Sequence, residues 1–294
     1  MTARPESQPV TRPRVGALQR ASNGVETLGR GVDWHDPRTW VDFIAGPGGP
    51  ATLVFVVCSA AFLWGWLTLG PWGWVDAWGL SGAALAQGRW WTIGSHMITH
   101  GGLAHIIMNT TALMGLGAFV TARMASGLRG WWGRFFGLFI VSGLCGAGLY
   151  LALHLTSAVP MVGASGAICG LWGAAARVGP DGRIVPLRSR PVWLQVQSFA
   201  IMNLVLGVLL YISATTAGQA GGLAWEAHLG GFLFGLLAMP LLAPAEPPAR
   251  FRRLFLPKSG IPAFEDASEP TEPPADQPPT PAAPSTPGRS PAAP

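Results

Sequence analysis

Six apolar runs separated by polar connections organise the middle of the chain. They cover residues 51–69, 98–120, 135–155, 164–176, 192–213 and 222–242. Five of these runs are about 20 residues long, which suits an α-helix that crosses the hydrocarbon core of a bilayer. Because lipid offers no partners to backbone polar groups, such spanning segments must be helical. The pattern predicts an all-α, polytopic membrane protein with six transmembrane helices.

The basic residues follow the apolar runs with a regular alternation. They lie between runs two and three, between runs four and five, and after run six: Arg123, Arg129, Arg134, Arg177, Arg183, Arg188, Arg190, Arg250, Arg252, Arg253 and Lys258. The other connections between runs carry only Arg89. Since cytoplasmic loops are enriched in Lys and Arg, the alternation predicts six helices in the plasma membrane with both termini cytoplasmic.

The two ends of the chain differ from its middle. Residues 1–48 are polar and are predicted to form a cytoplasmic N-terminal tail. Residues 243–294 are rich in Pro and Ala, cannot bury a core, and are predicted to be a disordered cytoplasmic tail. The predicted six-helix domain is therefore segment 49–242.

Composition and charge support a membrane protein and exclude other classes. Only 11% of the 294 residues are charged, against about 25% in a typical soluble domain. The net charge of +5 comes from scattered arginines rather than a basic stripe interleaved with aromatics, so no nucleic-acid binding is expected. Cys58, Cys145 and Cys169 lie within apolar runs without a CxxC pair and are predicted to be small core residues.

Two segments depart from the regular pattern. The connection 70–96 holds five tryptophans, which favour the membrane interface, so it is predicted to lie in the outer leaflet. Run four is too short to span, and Pro160 interrupts the apolar segment before it. Irregular backbone is tolerated at membrane depth only where it is buried in protein or lines a wet cavity. The start of run four is therefore a candidate site.

Ser165 stands at the start of run four, in the sequence GASGA. The free N–H groups and partial positive charge of a helix N-terminus suit an oxyanion. Serine is also a favoured N-cap, so its position leaves a purely structural role open.

His228 is an ionisable residue in run six, which makes it a functional candidate by default. Gly231 and Gly235 follow it at GxxxG spacing, and Gly166 and Gly170 repeat that spacing on run four. Small residues at this spacing let helix backbones approach closely, either as ordinary packing or to bring a serine and a general-base histidine within about 2.6–3.2 Å. Glu226 is two residues before the histidine and is predicted to face away, so a Ser–His dyad without a third acid is expected.

Four further polar residues open run two. His105 and Asn109 share one helix face and are either oxyanion donors or interhelical hydrogen-bonding groups. His96 and His100 have the spacing of helical metal ligands, but no acid in the runs could join them. No metal and no cofactor are therefore expected.

Three motifs, HGGLAHIIMN, GASGA and AHLGGFLFG, resemble those of the rhomboid family of intramembrane serine proteases, of the bacterial six-helix type. The resemblance covers residues 50–242 and implies a rhomboid-like bundle that cuts transmembrane helices of substrates near their outer ends. It implies the following roles: Ser165 as nucleophile, His228 as general base, His105 and Asn109 as oxyanion donors, His96 and His100 at the outer entrance, and Gly163, Gly166, Cys169, Ala227, Gly231 and Gly235 as supporting positions.

One position departs from the family pattern. Many rhomboids carry an aromatic residue four positions after the serine, where it stacks on the catalytic histidine, and here that residue is Cys169. Two other functions stay open on the sequence. One is a non-catalytic rhomboid-like protein that binds or escorts membrane helices, and the other is a metal or proton transporter that uses the histidines.

Overall fold

The computed structural model describes residues 37, 45–124, 128–216 and 222–256. In these ranges the regular structure is helical, without strands beyond isolated bridges. The helices are α1 (Gly49–Trp78), α2 (Gly82–Ala86), α3 (Thr92–Ser95), a 3₁₀ turn (His96–Ile98), α4 (Leu103–Met124), α5 (Leu128–Leu153), α6 (Ser165–Ala176), α7 (Arg190–Thr216), α8 (Trp225–Leu242) and α9 (Ala249–Phe255). The predicted all-α polytopic class is confirmed.

Five helices within the described ranges are long and apolar enough to cross a membrane: α1, α4, the Trp132–Leu153 part of α5, α7 and α8. The sixth predicted spanning helix is α6, which has only 12 residues. Run two also becomes helical later than predicted, because the turn His96–Ile98 and the pair Gly101-Gly102 precede α4. The count of six spanning helices therefore stays a prediction.

The first helix bends where the apolar run ends. Gly70 has φ 70°, and Pro71 follows it, so the chain cannot continue a regular helix through this point. Beyond the bend, the indole of Trp74 is buried and packs edge-on against Trp64, with ring centroids 6.0 Å apart. The connection predicted from residue 70 thus begins as a short helical extension of α1.

Helix α6 packs against α4, α5 and α8, and its contact with α8 is unusually close. A Cβ atom added to Gly231 would lie 1.9 Å from the carbonyl oxygen of Gly166. A Cβ added to Gly235 would lie 1.8 Å from that of Gly170. The two GxxxG faces therefore meet, and their backbones are in direct contact because neither helix carries a side chain there.

Three arginines, of which Arg123 and Arg177 are buried, hold the C-terminal end of α8. Arg123 is fully buried and donates to the carbonyl of Pro244 at 2.9 Å. Arg177 donates to the carbonyl of Leu236 at 3.0 Å, and Arg134 donates to that of Leu242. The carbonyl of Leu242 is in the last turn of α8 and has no intrahelical partner, and that of Leu236 lacks one because Pro240 has no N–H. Pro244 lies just beyond the helix. The guanidinium groups therefore form an arginine cap at this end of α8.

The structure continues beyond the boundary predicted at residue 242. Helix α9 lies beyond it, and its Phe251 is fully buried with its ring 5.2 Å from that of Phe119. Phe251 and Phe255 are one turn apart and form a small apolar face that the Pro-rich composition of the tail concealed. The rest of the predicted C-terminal tail, and nearly all of the N-terminal tail, lies outside the described residues.

The three cysteines do not share one environment. Cys58 and Cys169 are buried, as predicted from their apolar surroundings. Cys145 is exposed, so its prediction as a core residue is wrong. An apolar run in a membrane protein has lipid-facing as well as protein-facing positions, and run length alone does not separate the two.

Candidate active site

The loop that leads into α6 is fixed to the connection between α1 and α4. Met161 and Leu80 exchange two backbone hydrogen bonds, of 2.7 and 2.9 Å. The N–H of Gly163 donates to the carbonyl of His96 at 2.8 Å. These bonds satisfy irregular backbone in front of Ser165, which such a loop requires at membrane depth.

Gly163 brings the ring of His105 next to the serine. Its φ is 114°, a conformation that side-chain-bearing residues rarely adopt. A Cβ at this position would lie 2.7 Å from Nε2 of His105 and 3.7 Å from Oγ of Ser165. The absence of a side chain at residue 163 therefore permits the approach of a possible oxyanion donor to the serine.

For the proteolysis that the family resemblance implies, we expect Gly163→Ala to lower substrate cleavage by about 10- to 100-fold, because a misplacement of roughly 1 Å at a catalytic group has effects of this size. Gly101→Ala is the matched control, since its Cβ would meet His105 at an ordinary 4.0 Å. Initial cleavage rates of the two variants in the same bilayers test this. Equal rates would contradict a role for the close approach.

Ser165 is the first residue of α6, and Ala164 occupies the N-cap position. The serine hydroxyl is therefore not the N-cap acceptor. Its Oγ lies 2.7 Å from Nε2 of His228, which is within hydrogen-bonding distance. The first N–H groups of α6, including that of Ser165, lack intrahelical partners. The close packing of α6 on α8 places the serine hydroxyl and the imidazole together at this end of α6.

The second ring nitrogen of His228 also has a partner. Nδ1 lies 2.6 Å from Oδ1 of Asn203 on α7. The amide nitrogen Nδ2 of Asn203 donates to the carbonyl of Phe199 at 2.8 Å. Asn203 is not among the residues predicted from the sequence, because only an Asp or Glu is expected as the third member of a catalytic triad. An uncharged amide inside the apolar run 192–213 was the signal available.

The other polar residues predicted for the site lie on and before α4. Asn109 is buried and donates through Nδ2 to the carbonyl of His105 at 2.9 Å, which leaves its second amide hydrogen free to bind elsewhere. The ring of His105 contacts that of His100 edge-on, with centroids 5.1 Å apart. His105 thus touches both the loop before the serine and the histidine pair at the start of run two.

His96 and His100 are almost completely buried. Burial lowers the pKa of His96 to about 4, so its ring is neutral near pH 7 and Nδ1 donates to the carbonyl of Thr92 at 3.1 Å. The Nε2 atom of His100 lacks a hydrogen-bond partner among the described residues. No three His, Cys, Asp or Glu side chains of the described segments come together as a metal-binding group.

Glu226 is directed away from the serine. Its Oε1 lies 2.8 Å from Nε2 of His154 at the end of α5.

Cys169 lies one turn after Ser165 on α6 and is buried in a cluster with Phe199 and Phe232. Neither Glu226 nor Cys169 therefore bonds to the imidazole of His228. Its hydrogen-bonding partners are Ser165 on α6 and the amide of Asn203 on α7.

Comparison with known proteins identifies similar sequences. A family model described as the Rhomboid domain matches residues 87–245, more than half of the chain. The chain is 32% identical over 171 residues to the rhomboid protease GluP of Bacillus subtilis (strain 168). That match covers 58% of this chain but only 30% of the relative.

Proposed function

The chain belongs to the rhomboid family, and from this premise we propose that it is a serine endopeptidase that cleaves transmembrane helices of other membrane proteins. The observation that carries the proposal is the 2.7 Å contact between Oγ of Ser165 and Nε2 of His228. A serine becomes a nucleophile when an adjacent general base accepts its proton. The protein is an integral membrane protein, so this reaction takes place within the bilayer.

In the proposed reaction, His228 takes the hydroxyl proton while Oγ of Ser165 attacks the carbonyl carbon of the scissile bond. The imidazolium then gives that proton to the departing amine as the C–N bond breaks, leaving an ester on Ser165. Water, deprotonated by His228, hydrolyses the ester and regenerates the serine. Apart from the substrate and one water molecule, no other reactant is needed to balance these steps.

The oxyanion of the tetrahedral intermediate requires donors beside the serine. The N–H of Ser165 at the α6 N-terminus is one candidate, and His105 and Asn109 on α4 are the others. The contact of His105 with the Gly163 backbone supports this assignment, as does the burial of Asn109. Preorganised donors in a water-poor site contribute about 3–4 kcal/mol each to transition-state stabilisation.

The charges of the protein support a proposed orientation. Because arginines favour the cytoplasmic side, we propose that both termini are cytoplasmic and that the start of α6 faces the outer leaflet of the plasma membrane. Substrates are then membrane proteins whose helices unwind near their outer ends.

Labelling with a fluorophosphonate, which reacts with activated serines, tests the proposal. The full chain in bilayers should be labelled, mass spectrometry should map the label to Ser165, and a transmembrane substrate should be cleaved. Ser198→Ala is the matched control, because its hydroxyl bonds only to its own helix, at Leu194. If the protein binds transmembrane helices, is not labelled by the fluorophosphonate and does not cleave those helices, it is a non-catalytic rhomboid instead.

A further inference from the structure

We propose that Asn203 is a positioning residue that holds the imidazole of His228 in the tautomer and orientation needed to accept the serine proton. The inference rests on the proposed proteolytic function and adds a third side chain to the expected Ser–His dyad. Asn203 does not contact the reacting atoms in this scheme. It acts through Nδ1 of His228, on the side of the ring opposite to Ser165.

The orientation of the Asn203 amide is decided by its own contacts. Nδ2 donates to the Phe199 carbonyl at 2.8 Å, and Oδ1 faces Nδ1 of His228 at 2.6 Å. Turning the amide over would set Oδ1 against a carbonyl oxygen, which places two acceptors face to face. With Oδ1 towards the ring, Nδ1 must carry the hydrogen. Nε2 is then unprotonated and accepts the hydroxyl proton of Ser165.

Burial makes this hydrogen bond consequential. His228 is 6% exposed, so water cannot readily replace a lost partner at Nδ1. A buried donor without an acceptor is unfavourable, and the alternative tautomer would place the hydrogen on Nε2, where it blocks proton transfer from the serine. Removing the Oδ1 acceptor of Asn203 therefore favours a rotated His228 ring, or the tautomer with its hydrogen on Nε2, over the productive state.

Asn203 also accounts for the departure at Cys169. A thiol cannot orient an imidazole by stacking as an aromatic ring does, and here Cys169 packs among Phe199 and Phe232 instead. Those two rings stack at 4.1 Å, one helical turn from Asn203 on α7 and one turn from His228 on α8. The two helices thus meet through two successive pairs, one aromatic and one polar. The polar pair supplies the orientation that the missing aromatic would have given.

A structural explanation competes with this one, because Asn203 could simply help α7 adhere to the bundle. Few residues of α7 are buried, namely Val192 and Phe199. The chain offers a matched control on the same helix. Oε1 of Gln195, two turns from Asn203, accepts a 2.8 Å hydrogen bond from Nε1 of Trp172 on α6 and so joins α7 to the bundle away from His228.

Steady-state cleavage separates the two explanations. Asn203→Leu should lower kcat by about 100-fold with little change in KM, because binding surfaces stay intact while the productive tautomer is lost. Asn203→Asp, which keeps an acceptor for Nδ1, should recover most of that loss, and Gln195→Leu should stay within about threefold of wild type. An equal loss in Gln195→Leu, or no recovery in Asn203→Asp, would overturn the inference.

A spectroscopic test does not depend on turnover. In ¹⁵N-histidine-labelled Ser165→Ala protein, NMR should show His228 with a protonated Nδ1 and an unprotonated Nε2. The resonances of His228 are assigned as those that disappear when His228→Ala is added. Asn203→Leu in the same background should replace this pattern with a mixture of tautomers. An unchanged pattern would refute the positioning role. If the wild-type protein cleaves no substrate while the Ser165→Ala protein shows this pattern, the proposed function is refuted and the role of Asn203 in orienting the ring stays in place.

Discussion

Replacing His228 by alanine is expected to lower the rate of substrate cleavage by about a thousandfold or more. The imidazole is the group that lies within reach of the Ser165 hydroxyl, at 2.7 Å. Without it the hydroxyl keeps its proton and remains a weak nucleophile. Nucleophile and base act as a unit. The rates of Ser165→Ala and of the double variant, Ser165→Ala with His228→Ala, should therefore lie within a small factor of the rate of His228→Ala.

His154→Ala is the matched control for this prediction. His154 also bonds to a residue of α8, through Glu226 at 2.8 Å, but outside the candidate site. Initial rates on one transmembrane substrate, together with thermal unfolding of each variant, distinguish lost chemistry from lost structure. If His228→Ala cleaves as fast as His154→Ala, then His228 is not the general base.

Gly235→Val should separate α8 from α6 and abolish cleavage without touching any catalytic side chain. The first added carbon would lie 1.8 Å from the backbone oxygen of Gly170, and a helix backbone cannot yield locally as a flexible side chain can. Overpacking of this kind costs about 1–3 kcal/mol or more, so the midpoint of thermal unfolding should fall as well. Displacement of α8 by even 1 Å would take His228 out of range of the serine.

Gly115→Val gives the same chemical change in a spanning helix at a site where a Cβ meets nothing within 4 Å in the described structure. Its thermal midpoint and its cleavage rate should remain near those of the wild type. Unfolding in detergent, followed by circular dichroism, measures the first quantity. Wild-type cleavage by Gly235→Val would mean that the direct backbone contact is unnecessary for the active arrangement.

Much of this architecture can be predicted from hydrophobic pattern alone, because a helix in lipid must be long, apolar and internally hydrogen-bonded. The pattern does not locate Gly70, where a left-handed backbone and Pro71 bend α1 but the apolar run is simply ending. Nor does it reveal α9, whose burial depends on Phe119, more than 100 residues earlier in the chain.

In the candidate site, too, some residues can be predicted from the sequence and others depend on which helices pack together. Ser165 and His228 stand out because polar groups are rare in apolar runs and because glycine spacing suggests which helices touch. Asn203 does not stand out in the same way, since an amide carries no charge and one-dimensional spacing cannot say which helix faces which. Its partner becomes apparent only when α7 and α8 are placed side by side.

The arginine cap at the end of α8 has a consequence for biosynthesis. Arg123 belongs to α4, whereas two of its acceptors, the carbonyls of Pro244 and Ala245, follow α8. During synthesis the guanidinium must therefore wait for more than a hundred further residues before these partners exist. Arg123 can therefore close this end of the bundle only after α8 and the residues that follow it have been synthesised.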